Sequence, residues 1–242
     1  MPGCSLMSEK IEQKSIIIQM FHVHKRFSKK VALVDISLEI FRNEFVFICG
    51  PSGAGKSTLL KLLYLGETLS EGQILIEGMN HSRIRRNRVP FLRREFGIVF
   101  QDFKLIPTKT VFENVSLVLE VKGKTSKMAQ KKVNSVIRTV GMDDKQHVYP
   151  PTLSGGEQQR VAVARAIVGD PKIILADEPT GSLDITSARA IMDLLIKFHS
   201  RGGTVIVATH DESLLQNIDA RIIRLDSGRL ISSTNQHRDQ VP

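Results

Sequence analysis

The chain has almost no cysteine. Cys4 and Cys49 are the only two in 242 residues, which excludes a disulfide framework and a thiolate metal site. Long apolar runs are also missing. No stretch approaches the ~18 uninterrupted apolar residues of a membrane-spanning helix. The longest candidates, such as Phe45-Val-Phe-Ile-Cys49, have strand length. The opening MPGCSLMSEK lacks the apolar centre of a secretory signal, so the expectation is a cytoplasmic chain. Low-complexity linkers and internal repeats are absent too. A prior of roughly 100–200 residues per domain then leaves one large domain or two small ones.

Acids are outnumbered. There are 25 Asp and Glu against 34 Lys and Arg, a surplus of +9. The surplus is partly local. Arg83, Arg85, Arg86, Arg88, Arg93 and Arg94 crowd one stretch. Lys122, Lys124, Lys127, Lys131 and Lys132 crowd another with no acid among them. Basic surfaces suit nucleic acid, anionic lipid headgroups or anionic ligands, and an ordinary solvated face carries the same runs. Charge alone chooses no partner. With 41% hydrophobic and 24% charged residues the chain is globular rather than disordered.

Short apolar runs at Phe45–Cys49, Gly97–Gln101, Ile173–Ala176 and Thr204–Ala208 are consecutive rather than alternating. That pattern predicts strands buried on both faces of a parallel sheet. Ile16–Phe21, Gln73–Glu77 and Arg221–Leu225 are weaker strands, assigned to an antiparallel flank. Val133, Val136, Ile137 and Val140 have helical spacing, as do Ile191, Leu194, Leu195 and Phe198. Strands alternating with helices predict an α/β core. Residues 102–152 hold helical pattern without a convincing strand and are assigned to a helical insert. The whole of 16–230 is expected to be one domain. A polar leader (1–15, with Met7 an alternative start) and a loose tail (231–242) flank it.

Gly50-Pro51-Ser52-Gly53-Ala54-Gly55-Lys56-Ser57-Thr58 fits G-x-x-x-x-G-K-[ST], with a buried strand before it and a helix after it. A phosphate chain must lie against backbone N–H groups. Gly50, Gly53 and Gly55 remove Cβ atoms that would block it, and they tolerate positive φ. The helix N-terminus adds its positive dipole end. Lys56 supplies a point charge for the β- and γ-phosphates. Ser57 offers a hydroxyl to Mg²⁺, and Thr58 reaches an α-phosphate oxygen.

Lys172-Ile-Ile-Leu-Ala-Asp177-Glu178 is a buried strand ending in two acids. Mg²⁺ prefers oxygen ligands, so Asp177 is its expected partner. Glu178, one residue on, is placed to polarise the water that attacks the γ-phosphorus. A third motif, Leu153-Ser154-Gly155-Gly156-Glu157-Gln-Gln-Arg160, opens a helical run. Ser154 and Glu157 have the spacing of a capping box. A plain helix start needs no pair of glycines, which weaken a helix. The run is therefore expected to be a second anion site.

These three motifs together resemble the nucleotide-binding subunits of the ATP-binding-cassette family. L-S-G-G-E is the distinguishing element. The resemblance covers about residues 16–230 and implies a P-loop NTPase (RecA-like) core with a parallel sheet, an antiparallel β flank and a helical subdomain. It implies ATP and Mg²⁺ as ligands and ATP hydrolysis as the activity. It assigns further roles. Gln101 matches the glutamine that senses Mg²⁺ and the attacking water. His210 matches the switch histidine at the γ-phosphate. Asp184 belongs to a Ser182-Leu-Asp184 loop, and Phe27 takes the place of the aromatic ring that stacks on adenine. Two copies are implied to face head to tail, so that Ser154, Gly155, Gly156 and Glu157 of one copy serve the ATP held by the other. Asn43 before Glu44 and Ser182 before Leu183 depart from the family pattern, where glycine and asparagine are usual.

Only about fifty residues separate Gln101 from Leu153. That leaves no room for the coiled coil or zinc insert of DNA-repair members, so the energy is expected to pass to a membrane partner. Val89-Pro-Phe-Leu-Arg-Arg94, Val99-Phe-Gln-Asp-Phe-Lys-Leu-Ile106 and Thr110-Val-Phe-Glu-Asn-Val115 resemble the bacterial cell-division branch. That branch implies a membrane partner of the FtsX type, a seat on the cytoplasmic face of the inner membrane, and regulation of cell-wall hydrolases. The ATPase of a lipoprotein-releasing or macrolide-exporting complex has the same core. A nucleic-acid-associated ATPase is supported only by the basic clusters. A clamp that binds ATP without turnover is opposed by Glu178 and His210.

Overall fold

A computed structural model describes residues 15–28, 30–215 and 218–235. The expected leader before Ser15, Met7 and the tail beyond Asn235 lie outside the described residues. In chain order the elements are β1 (Ile16–Phe27), β2 (Lys30–Phe41), β3 (Phe45–Cys49), α1 (Lys56–Leu63), β4 (Glu71–Ile76) and β5 (Met79–Asn80). Then follow α2 (Val89–Arg93), β6 (Phe96–Val99), α3 (Val111–Val121), α4 (Lys127–Thr139), α5 (Gly155–Ile167) and β7 (Ile173–Asp177). The chain closes with α6 (Ile185–His199), β8 (Thr204–Thr209), β9 (Arg221–Asp226) and β10 (Arg229–Asn235). Among these helices none is long and apolar enough to cross a membrane.

Two sheets form. One is antiparallel, in the order β2-β1-β4-β5, and the other has six strands in the order β10-β9-β3-β8-β7-β6. In the larger sheet β9, β3, β8, β7 and β6 are mutually parallel. Its central strands alternate between two cores, as the two-residue period of a strand requires. Phe45, Phe47 and Cys49 of β3 face a core shared with α3, α4, α5 and α6. Val46 and Ile48 face a second core built with α1 and the antiparallel sheet. The pairs Ile174/Ala176 with Ile173/Leu175, and Val205/Val207 with Ile206/Ala208, divide the same way. Burying both faces makes every residue of β3 apolar and pushes the Cys49 thiol up to about 11.

Three expectations are corrected. Arg221–Leu225 was assigned to the antiparallel flank, but β9 lies in the main sheet, parallel to β3. The expected strand Gly97–Gln101 stops at Val99, so Gln101 sits in the turn beyond it. The loose tail from 231 begins too early: β10 pairs back on β9 to Asn235. The hairpin is closed by Ser227 and Gly228, both at positive φ (47° and 75°), the conformation that matches strand twist in a two-residue turn. Residues 102–152 hold α3, α4 and short 3₁₀ turns with no strand.

Candidate functional site

The C-terminal ends of the parallel strands deliver the chemistry to one edge of the sheet. The loop after β3 leads into α1, β7 ends on Asp177 with Glu178 next, and β8 is followed by His210. A cleft of about 440 Å³ opens there. Of the predicted residues, Phe27, Ser52, Gly53, Gly55, Lys56, Ser57, Thr58, Gln101, Glu178 and His210 line it. A larger groove of about 550 Å³, around Phe198 and Arg201, contains none of the motif residues.

The glycines of the loop divide into two kinds. Gly53, at φ +81°, has open space where a Cβ would stand. A Cβ on Gly55 would lie 2.7 Å from both Ala32 O and Leu33 Cδ2, and one on Gly50 would lie 2.0 Å from Leu225 O. Only Gly53 therefore bares the loop toward a ligand. Gly50 and Gly55 let the loop pack against β9 and β2. Pro51 and Ala54 support the loop from within: Ala54 N–H donates to Pro51 O at 3.1 Å, and Ala54 is buried.

The polar groups converge. Lys56 is buried, and its ammonium donates to Gly50 O at 2.8 Å and Pro51 O at 3.1 Å. It also lies 3.5 Å from Glu178 Oε1. The other carboxylate oxygen, Glu178 Oε2, is 2.9 Å from His210 Nδ1. An ionised carboxylate only accepts, so this contact sets the proton on Nδ1. Glu178 itself sits at φ +45° and donates its N–H to Ala208 O at 2.9 Å. β8 thus fixes the direction of the carboxylate.

Ser57 Oγ donates to Asp177 Oδ1 at 2.8 Å. Burial raises the Asp177 carboxyl above its ordinary value, against the opposing pull of the Ser57 hydroxyl. Two hard oxygen donors side by side at a helix start fit Mg²⁺, which takes few protein ligands and keeps water and phosphate oxygens.

Phe27 is 39% exposed, with the Lys25 ammonium 4.4 Å from its ring centroid. Lys25 is buried and donates to Thr68 O at 2.7 Å and to Glu67. The sequence reading missed Lys25 and the lining residues Lys30 and Ala32. Lys25 was findable, because it stands two residues from Phe27 on one strand and so shares its face. Lys30 and Ala32 lie on β2, a strand the pattern did not predict.

Ser154, Gly155, Gly156, Glu157 and Asp184 lie outside the cleft. The capping box is formed: Glu157 N–H donates to Ser154 Oγ at 3.3 Å, and Ser154 N–H donates to Glu157 Oε2 at 2.9 Å. An ion pair with Lys145 holds the Glu157 carboxyl below the usual range. Gly156 is spoken for by packing, since a Cβ there would lie 2.5 Å from Ser187 Oγ. Gly155, half-buried, could take a Cβ at ordinary contact distance from Leu183 and Phe103, so packing does not demand glycine there. Asp184 caps α6, accepting from Ser187 N–H at 2.9 Å and Ser187 Oγ at 2.6 Å.

The arrangement is that of a nucleoside-triphosphate site: a glycine-opened loop on a helix start, a buried lysine, a Ser–Asp pair for a divalent cation, and a Glu–His pair beside them. Residues 33–181 match the family model described as ABC transporter. The cell division ATP-binding protein FtsE of Mycobacterium tuberculosis is 45% identical over 218 residues, covering 89% of this chain and 95% of that protein. Its Escherichia coli counterpart is 40% identical over 215 residues, covering 88% and 97%. A solved dimeric structure of MJ0796, described as a bacterial ABC transporter cassette, superposes with a TM-score of 0.85 at 37% identity, covering 90% of this chain and 98% of that one. A second dimeric MJ0796 structure, in a post-hydrolysis state with ADP and Pi, gives 0.83 at 36% with the same coverage. The chain belongs to the ABC transporter family and is one of its ATP-hydrolysing cassettes.

Proposed function

We propose that this ATPase works in cell division. Two copies sandwich ATP head to tail, and the cycle of closing and opening drives a membrane partner of the FtsX type that controls cell-wall hydrolysis. The carrying observation is the 40–45% identity, along nearly the full length of both chains, to proteins named cell division ATP-binding protein FtsE. The tip at exposed Ser154 and half-buried Gly155 supports the sandwich, because it is a helix N-terminus, which favours anions, and does not line its own chain's cleft. The chain's place is then the cytoplasmic face of the inner membrane.

In this reading Phe27 stacks on adenine, and the N–H groups of residues 53–58 hold the phosphates. Ser57, Asp177 and Gln101 would hold Mg²⁺, which when bound neutralises charge on the β- and γ-phosphate oxygens. Glu178 takes a proton from water as the water oxygen bonds to the γ-phosphorus and the bond to the β–γ bridging oxygen breaks. ADP and phosphate leave. Lys56 stabilises charge on the γ-phosphoryl oxygens, a contribution that grows in a water-poor cleft. His210 holds the base in place through Glu178 Oε2.

The test is affinity capture from detergent-solubilised membranes with a tagged Glu178→Gln chain and ATP. Recovery of a four-span FtsX-type protein is the expected result. Recovery of an exporter permease, or ATPase stimulation by DNA that vanishes with added salt, overturns the assignment.

A further inference from the structure

The Asp102-Phe103-Lys104 segment follows Gln101 directly and carries two consecutive left-handed residues, Phe103 at φ 58° and Lys104 at φ 48°. Neither is glycine, so the main chain here is held where L-residues are disfavoured. Its own bonds are few: Phe103 N–H donates to Phe100 O at a long 3.3 Å, and Lys104 N–H donates to Asp102 O at 2.5 Å. The firm anchor comes from another element. Arg165, near the end of α5, donates from Nη1 to Lys104 O at 2.6 Å and from Nη2 to Phe103 O at 2.8 Å. No carboxylate pairs with this half-buried guanidinium among the described residues. Leaving a charge half-buried with only main-chain carbonyls for partners is costly, and the two-pronged donor matches two successive carbonyls in a way a lysine cannot.

The other end of α5 lies beside the same segment. A Cβ on Gly155 would lie 3.7 Å from Phe103 Cζ and 3.6 Å from Leu183 Cδ2, so the Phe103 ring stands beside the helix tip. Midway along α5, Gln159 Nε2 donates to Pro179 O at 2.7 Å, next to Glu178. One helix therefore holds the loop of Gln101 through Arg165, sets its own tip beside the Phe103 ring, and bonds the segment of Glu178 at its middle.

We propose that Arg165 is a positioning residue for ATP hydrolysis: it clamps the loop that carries Gln101 onto α5, so that Gln101 and the Ser154–Gly156 tip move as one body. The clamp is internal to one copy. Its consequence for the tip rests on the head-to-tail reading above.

The test uses the full chain with Arg165→Met, which keeps length and loses the donors, and Arg165→Lys, which keeps the charge and one prong. Arg165→Met is expected to lower kcat about tenfold with KM for ATP within about twofold. Amide exchange over residues 101–105 should speed by about tenfold while residues 158–163 keep their protection. Arg165→Lys should recover part of both, and it carries the test if the Met variant fails to fold. Unchanged kcat and unchanged exchange at 101–105 overturn the clamp. So does exchange that rises along all of α5, which marks a structural residue only. A Glu178→Gln chain that stays monomeric with ATP on size exclusion would overturn the sandwich, while the exchange measurement would still decide the clamp. ATP-dependent dimers of both Glu178→Gln and Glu178→Gln/Arg165→Met, with kcat lowered by Arg165→Met alone, support both.

Discussion

Glu178 combines a left-handed main chain with a carboxylate wedged between Lys56 and His210. Strain at a residue that also faces the cleft is the mark of a position held for its chemistry. Changing Glu178 to Gln keeps the shape and removes the group to which the proposed mechanism assigns the base. Phosphate release should fall by about two orders of magnitude or more while ATP still binds, as measured by equilibrium dialysis. Asn43 shows the same economy without chemistry. It occupies φ +53°, and asparagine tolerates that conformation better than most residues other than glycine. His81 makes a separate prediction. It is buried against β6, its Nδ1 lacks a partner, and burial lowers its pKa from 6.5 to about 4. The folded value lies below the unfolded one, so the unfolded chain takes up the proton first. Stability present above pH 6.5 is lost as pH falls toward 4. Between pH 7 and 5 the loss is roughly 2 kcal/mol. Denaturant unfolding at the two pH values should show it, and the His81→Leu chain should show a smaller drop.

Among the elements, the two capping boxes form a natural control. Thr110 and Glu113 start α3 as Ser154 and Glu157 start α5, with both reciprocal bonds present in each. Replacing either Thr110 or Ser154 with Ala should cost about 1 kcal/mol of stability. Only Ser154→Ala should abolish ATPase activity, measured as phosphate release, because only that tip faces a nucleotide in the proposed sandwich. The buried strands were legible in the sequence because β3 is apolar at every step, β7 at every step before Asp177 and β8 at every step between Thr204 and Thr209, and few other structures need that. β2 was not. A left-handed Asp35 and shifts in the pairing with β1 break its alternation between Leu33 and Ile36. The β9–β10 hairpin was legible in principle from Ser227-Gly228, but its outer strand is polar. The motif residues of the cleft could be read because phosphate chemistry fixes their type and spacing. Arg165 could not, because it acts across elements about sixty residues apart in sequence.

At the scale of the whole molecule, the sheet is a wall between two cores, and each core steadies a different part of the site. The core with α1 and the antiparallel sheet sets the phosphate loop and Phe27; the core with α3 to α6 sets Gly155 and Asp184. One chain thus presents a cleft on one part of its surface and, on another, the helix tip to which the proposed sandwich assigns the partner's nucleotide. A head-to-tail pair has two equivalent composite sites. A chain with Lys56→Ala spoils the cleft and keeps the tip, whereas Ser154→Ala spoils the tip and keeps the cleft. Each alone forms only crippled sites. Mixed in equal amounts, half the dimers are hybrids in which one site joins the intact cleft of one copy to the intact tip of the other. About a quarter of all sites are then whole, and phosphate release should rise clearly above the sum of the two variants measured apart. If each cleft were completed by its own chain's tip, every site in the mixture would stay damaged and no recovery would be seen.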